Sequence, residues 1–375
     1  MREILIKPGI FKFGTFEEFA KDFQTGEKDL ILTTAYLKER YIDPVLPDAR
    51  CIVQEDYGVG EPSEEMIVGM FAAADYDAYD RVIAIGGGSI MDIAKLFVIR
   101  RPKSVNDLFF HREEIVREKQ LVCIPTTCGT GAEVTMTSVA NVHTADGGTT
   151  KMGLLDEKLI ADTAVLIPEF LEDIPLRPMA ESLLDALIHA TESFLSPSRA
   201  TMTSDLFAKG AIEIILRALK MYGEGASLQK EYAEEMLTAA MYAGIAFLTA
   251  GCGIVHGVSY PLSGKYHVTH GAANYAFFDA ALRMYDEHDP DGRMKELRQM
   301  IADVLGGDEK DAVRTLAEAE EYLLPVKTLK EYGATESDLD EFTESVFENQ
   351  MRLVNNAYYP MGKEDVRELY QRVYE

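Results

Sequence analysis

RVIAIGGGSIMDIAK, residues 81–95, decides the fold. Val82, Ile83 and Ile85 make a short β-branched run, Gly86, Gly87 and Gly88 follow it, and Ser89 opens a stretch with apolar residues at helical spacing. Strand, glycine turn and helix in that order is the unit from which a parallel sheet flanked by helices is assembled. Three glycines let a backbone approach a ligand closely, and Ser89 is expected to cap the helix, leaving free amides to face an anion. A steric need for glycine at a tight crossover explains the same letters, so both readings stand. The dinucleotide pattern GxGxxG is absent because Met91 occupies its third glycine position, and Lys95 lacks the spacing of a P-loop.

Outward from this stretch the same grammar repeats. DLILTT at 29–34, CIVQE at 51–55, LVCIPTT at 121–127 and AVLIP at 164–168 read as strands, with helix-like segments at 62–76 and 89–100 between them. Beyond Pro168 the strand signal ends and the chain reads as helical, with Pro168, Pro175 and Pro178 punctuating the change. The expected fold is an α/β nucleotide-binding domain over residues 1–172, followed by an all-helical, metal-binding catalytic domain over 173–375.

The composition narrows the function. The chain has 375 residues, of which 47% are hydrophobic, enough for two substantial cores. Its 37 basic and 63 acidic residues give a net charge of −26, which argues against nucleic acid or an anionic membrane as a partner. Cys51, Cys123, Cys128 and Cys252 form neither a CxxC motif nor a disulfide framework, which suits a reducing compartment. The first residues lack the apolar run of a signal peptide, and no run elsewhere reaches membrane-spanning length, so a cytoplasmic enzyme is the expectation.

Two further segments carry chemistry. PTTCGTGAEVT at 125–135 follows an apolar strand and gathers Thr126, Thr127 and Thr130 with Gly129 and Gly131, residue types suited to phosphate and ribose oxygens. Cys128 reads as a small space-filler. In DALIHATESF, Asp185 and His189 are four apart on a helix and share a face, among Leu183, Leu184, Leu187 and Ile188. VHGVSYPLSGKYHVTHG at 255–271 adds His256, His267 and His270, with Pro261 and Gly264 expected to break the chain between them. One carboxylate and three imidazoles suit Zn(II) or Fe(II) with a coordination position open to substrate, while structural histidines account for the same residues.

GGGSIMDIAK, PTTCGTGAEVT, DALIHATESFLSP and VHGVSYPLSGKYHVTHGAANY, in this order and spacing, resemble the iron-containing (group III) alcohol dehydrogenase family over nearly the whole chain. The resemblance implies an N-terminal nucleotide-binding lobe, an all-helical C-terminal lobe and a catalytic divalent metal, Fe(II) or Zn(II), in the cleft between them. By the resemblance the metal ligands fall on Asp185, His189, His256 and His270. The cofactor residues fall on Gly87, Gly88 and Ser89 with Asp92, on Thr126, Thr127 and Thr130, and on Lys151. Family members that favour NAD often end the first strand in aspartate; Thr34 stands here, so NAD is expected with NADP possible. Tyr260 replaces a frequent histidine, and Ala132 a frequent serine.

YGVGEPSEEM, the KMGL at 151–154 and HGVSYPLSGKYHV resemble the branch acting on 4-hydroxybutyrate. The expected reaction is reversible hydride transfer between that alcohol and NAD(H), with succinate semialdehyde as the aldehyde and a metal polarising the reacting oxygen. His267 is the expected proton relay, with a structural role at the turn as its competitor, Tyr260 a hydrogen-bonding or packing residue, and Lys265 the cation for the substrate carboxylate. A homodimer is expected. A glycerol, 1,2-diol or general short-chain alcohol dehydrogenase is the nearest alternative. A lyase of the 3-dehydroquinate synthase type is the alternative from another class, and a metal hydrolase, an oxygenase or a binding module explains fewer of the motifs.

Overall fold

Leu30, Leu32, Val82, Ala84, Leu121 and Cys123 belong to one buried cluster, and Ile31, Ile83, Ile85, Val122 and Ile124 to another. Alternate residues of a strand point to opposite faces, so these strands are buried on both, which is why they read as unbroken apolar runs. The computed structural model describes residues 3–144 and 147–375. Its strands are β1 (Gly9–Lys12), β2 (Asp29–Thr33), β3 (Cys51–Val53), β4 (Arg81–Gly86), β5 (Gln120–Pro125), β6 (Thr137–His143), β7 (Thr149–Leu155) and β8 (Thr163–Leu166). Six of them form a sheet in the order β1-β8-β5-β4-β2-β3. Every neighbouring pair is parallel, with Ile31 opposite Ile83 and Ile83 opposite Val122.

Helices cover both faces of the sheet. Phe16 and Phe19 of α1 (Phe16–Asp22) join one cluster. Ile67 and Met70 of α2 (Glu64–Ala73), with Ile90, Ile93 and Phe97 of α3 (Gly88–Phe97), join the other. From β2 the chain continues to β3 on one side, and from β4 to β5 on the other. That reversal opens a crevice beyond the carboxyl ends of β2 and β4, the usual ligand position in such sheets.

Two features escape the sequence reading. β6 and β7 pair as an antiparallel hairpin of Thr, Ser, Asn and Gly with few large apolar residues, so their alternation is faint. β1 is a four-residue edge strand whose residues are all exposed. Ser89 does not cap α3: the helix begins one residue earlier, and Gly87 is its N-cap. Gly86 answers the steric reading, because a Cβ there would lie 2.5 Å from Ile90 Cγ1.

This α/β unit comprises Ile6–Thr127 and Gly131–Asp173. The second unit, Ile174–Glu375 with Cys128–Thr130 and a short N-terminal piece, is helical. Its longer helices are α4 (Leu176–Leu195), α5 (Met202–Gly223), α6 (Ala233–Ala250), α7 (Ile254–Tyr266), α8 (His270–His288), α9 (Arg293–Leu305), α10 (Ala312–Leu323), α11 (Glu336–Asn349) and α12 (Lys363–Arg372). α4 packs against α5, α6 and α8 and is buried almost throughout its last four turns. The expected break at Pro261 and Gly264 does not occur: α7 continues to Tyr266, although the proline removes one amide donor and crowds the carbonyl four residues back. The helix ends instead at His267, which takes the left-handed conformation at φ 53°. Among the described residues no single helix is long and apolar enough to cross a membrane, and the four cysteines are free.

Candidate metal centre and nucleotide-binding turns

Asp185, His189 and Glu192 follow one another at i, i+4 and i+7 along the buried face of α4. An ionisable group there must find a partner or cost several kcal/mol. His256 comes from the first turn of α7, and His270 is the first residue of α8. One ligand atom from each of Asp185, His189, His256 and His270 lies within 4.8 Å of all the others. His189 Nε2 and His256 Nε2 are 3.0 Å apart, and His270 Nε2 is 3.7 Å from Asp185 Oδ1. Donors about 2.1 Å from a tetrahedral cation stand about 3.4 Å from one another, and these separations bracket that value.

The hydrogen count points the same way. Asn274 Nδ2 donates to Asp185 Oδ1 at 2.7 Å and lies 3.2 Å from His256 Nε2 and 3.3 Å from His270 Nε2. The Asn274 amide thus has two protons for three neighbouring atoms. Asn274 Oδ1 and His189 Nδ1 are buried with no hydrogen-bond partner. One carboxylate and three imidazoles at these separations, with buried polar atoms left unpartnered beside them, form a donor set that a cation satisfies, so the residues present fit a divalent metal. Burial pushes the Asp185 carboxyl up, but the imidazoles of His189, His270 and His256, together with the Asn274 amide, outweigh it and hold the group at about 2.

The side chains of Asp185, His189 and His256 are only 3–5% exposed, whereas that of His270 is 28% exposed. The centre therefore opens on the His270 side. Phe247 stacks on His189 with ring centroids 4.5 Å apart. Tyr260, one turn after His256 on α7, has its ring centroid 6.4 Å from that of His270.

Glu192 and Asn274 were not singled out from the sequence. Their signals were present as an acid three residues after His189 on a buried helix and an amide four residues after His270. Glu192 Oε2 lies 2.6 Å from His256 Nδ1 and accepts the Gly253 amide at 2.8 Å, while Oε1 accepts the Val255 amide at 2.6 Å. Cys252 lies alongside; burial would push its thiol up, but His256 and His189 bring it down to about 6. Burial likewise opposes charge on His256, and Cys252 and Glu192 overcome it and raise that imidazole well above its ordinary value.

Two expected residues lie apart from this cluster. His267 is exposed at the end of α7. The Lys265 ammonium donates to Asp338 and Glu341 of α11, each at 2.6 Å, so its charge is already met by two carboxylates.

In the α/β unit the glycine turn meets the threonine turn, with the Thr126 amide donating to the Gly86 carbonyl at 3.1 Å and a Cβ on Gly87 reaching Thr127 at 3.4 Å. Thr34 follows the neighbouring β2 and accepts from the Leu37 amide. Gly88 and Ser89 form the first turn of α3, whose N-cap carries no side chain. Asp92, one turn on, accepts from Lys95 Nζ at 3.1 Å and from the Val139 amide at 3.0 Å. Lys151, on β7, donates to Glu61 at 2.5 Å. Thr130 falls with the helical unit, next to Gly129, where a Cβ would lie 2.6 Å from Ser182 Oγ. Cys128 is buried, and burial pushes its thiol up to about 12, as a space-filling role requires.

Residues 8–168 match the family model described as iron-containing alcohol dehydrogenase, and residues 179–374 match that of the Fe-containing alcohol dehydrogenase family, C-terminal. The chain belongs to the iron-containing alcohol dehydrogenase family. Membership makes it an oxidoreductase and implies NAD(H) and a divalent metal. It is similar to 4-hydroxybutyrate dehydrogenase of Clostridium kluyveri, 40% identical over the whole of both chains. It is also similar to long-chain-alcohol dehydrogenase 1 of Geobacillus thermodenitrificans, 32% identical across 93% of this chain and 90% of that one. The fold is shared with the iron-containing alcohol dehydrogenase of Thermococcus thioreducens, with a TM-score of 0.82 at 24% identity over 99% of each chain.

Proposed function

We propose that the protein transfers hydride reversibly between 4-hydroxybutyrate and NAD(H), with succinate semialdehyde as the aldehyde. The observation that carries this reading is the set Asp185, His189, His256 and His270, one ligand atom of each within 4.8 Å of all the others. Likeness to a 4-hydroxybutyrate dehydrogenase along the full chain supports the choice of substrate. These four residues would hold Fe(II), or Zn(II), which accepts the same donors. A divalent cation there supplies the positive charge that makes an alcohol hydroxyl acidic and polarises an aldehyde carbonyl.

The chain's own residues do the rest. Asp185, anionic even when buried, offsets part of the cation's charge. Tyr260 flanks the more exposed ligand His270 and can donate its phenol to an incoming oxygen. His267 has the solvent access that a proton relay needs. Lys265 would have to leave Asp338 and Glu341 to meet a substrate carboxylate. The amides of Gly87, Gly88 and Ser89 are assigned to the cofactor's pyrophosphate, Thr126, Thr127 and Thr130 to its phosphate and ribose oxygens, Thr34 to its adenosine ribose and Lys151 to the cofactor as a whole, with NAD preferred to NADP. Asp92 braces that turn through Lys95 and Val139. We assign the nucleotide role to residues 1–172 and the metal role to 173–375. A cytoplasmic homodimer completes the reading, and edge strand β1, with Ile10 and Phe11 exposed, offers a second copy a pairing surface.

The test is elemental analysis of protein purified without oxygen, followed by a panel of alcohols with each nicotinamide cofactor. Stoichiometric iron or zinc and the highest kcat/KM for 4-hydroxybutyrate with NAD are expected. Preference for an uncharged diol would move the assignment to the sibling specificity. Asp185→Asn is expected to lose the metal and to lower kcat/KM by about a hundredfold or more, at or beyond the upper end of the range for losing a residue that only orients a ligand.

A further inference from the structure

We propose that Glu192 is the positioning residue of the metal centre: its carboxylate turns and holds the His256 ring so that Nε2 alone is presented to the cation, and Glu192 is not itself a ligand. This rests on reading Asp185, His189, His256 and His270 as the ligand set.

Three groups converge on the Glu192 carboxylate, which is buried: the amides of Gly253 and Val255 and His256 Nδ1. A carboxylate with two backbone amides already donating to it acts as an acceptor, so an imidazole nitrogen 2.6 Å away must carry the hydrogen. With Nδ1 holding that proton, the lone pair available for a metal is on Nε2, the atom that faces His189 Nε2 at 3.0 Å. The two amides come from the entry to α7, at its N-cap Gly253 and in its first turn. One carboxylate on α4 thus anchors the helix that carries His256 and sets the direction of its ring.

The geometry also admits a rival, because Glu192, Cys252 and His256 bring one donor atom each within 4.8 Å of one another. A cation bound by that trio would have to displace the hydrogen bond between His256 and Glu192. It would also have to take His256 through Nδ1. Glu192 already accepts three charge-assisted bonds, in the geometry that leaves His256 Nε2 facing His189.

The experiment uses the full chain, labelled with ¹⁵N at histidine and loaded with Zn(II) as a diamagnetic probe. In the wild-type protein His256 is expected to bind through Nε2 and to show a hydrogen-bonded, slowly exchanging Nδ1–H. Glu192→Gln presents an amide NH₂ to donors that need an acceptor, so that signal should shift or vanish. Zn(II) affinity, read by chelator competition, should fall about ten- to hundredfold. Cys252→Ser should leave the affinity unchanged. If Glu192→Gln does not fold, the wild-type spectrum still decides: Zn(II) on Nδ1, or an Nδ1 without a proton, overturns the proposal. So does a sulfur ligand in X-ray absorption. His270→Ala separates the two levels of inference. If it loses the metal while a folded Glu192→Gln keeps wild-type affinity, the positioning role alone is wrong. If both variants keep the metal, the ligand set itself is wrong.

Discussion

Glu133, in the threonine-rich turn after β5, is 1% exposed and its Oε1 has no hydrogen-bond partner. Burial pushes its carboxyl up to about 7, against the opposing pull of its own backbone amide and of Lys95. Its folded value exceeds its unfolded one, so the folded protein binds the extra proton and stability falls as pH rises from about 4.5 towards 7. Glu133→Gln removes that titration. The melting temperature of the variant relative to wild type should climb across this window and level off above it, as calorimetry at a series of pH values would read. A constant difference from pH 4.5 to 8 would mean that the carboxyl does not titrate there. Glu133 shares its difficulty for a sequence reader with Glu192 and Asn274. Asp185 and His189 were legible because four-residue spacing on an apolar helix places both on one face. The partners of Glu192 lie 61, 63 and 64 residues away and Asp185 lies 89 from Asn274, so the local spacing to His189 and His270 does not say what either residue holds.

At the scale of elements, the site depends on how closely α8 approaches α4. Gly271 follows His270 in the first turn of α8, and a Cβ there would lie 2.4 Å from the Glu181 carbonyl oxygen of α4. Gly271→Ala must push the start of α8 away and carry His270 with it. A destabilisation of about 1–3 kcal/mol is expected from such overpacking, with metal affinity reduced as well. Gly264, in α7, is the control, because nothing lies within 4 Å of a Cβ built on it and its φ is not positive. Gly264→Ala should stabilise by about 0.4–1 kcal/mol and leave metal binding alone. Denaturant unfolding and chelator titration of the two variants would check the contrast, and equal behaviour would remove the close helix approach as the cause. Legibility at this scale followed the same physics. β2, β4 and β5 were readable because burial on both faces demands apolar runs, whereas β6 places Ser138 and Ala140 inward and Val139 outward, which blurs the alternation. Pro261 misled because a proline's local cost does not by itself end a helix whose neighbouring residues are buried, as Val258, Ser259, Leu262 and Ser263 are.

At the scale of the whole molecule, the net charge of −26 sets a term that no single contact reveals. Like charges spread over a folded surface repel, and the unfolded chain relieves that repulsion by expanding. Ion pairs oppose it locally, among them Arg367 with Asp340, Arg283 with Asp279 and Lys330 with Glu375, but these side chains are largely exposed. Exposed pairs contribute about 0–1 kcal/mol each and are weakened by the same salt that screens the repulsion. An excess of 26 acidic over basic groups cannot be paired within the chain, so the repulsive term should dominate. Raising NaCl from about 10 mM to about 150 mM shortens the screening length from about 30 Å to about 8 Å, less than the spacing of many unpaired carboxylates. The metal-free protein, held in chelator so that ligand binding does not contribute, should gain about 1 kcal/mol, or about 2–4 °C in melting temperature if the units behave like domains of 150–250 residues. Sucrose should not reproduce the shape of that dependence, which saturates once screening is complete. A melting temperature that falls over the same range would mean that local ion pairs, not the surplus of acid, govern the stability of the fold.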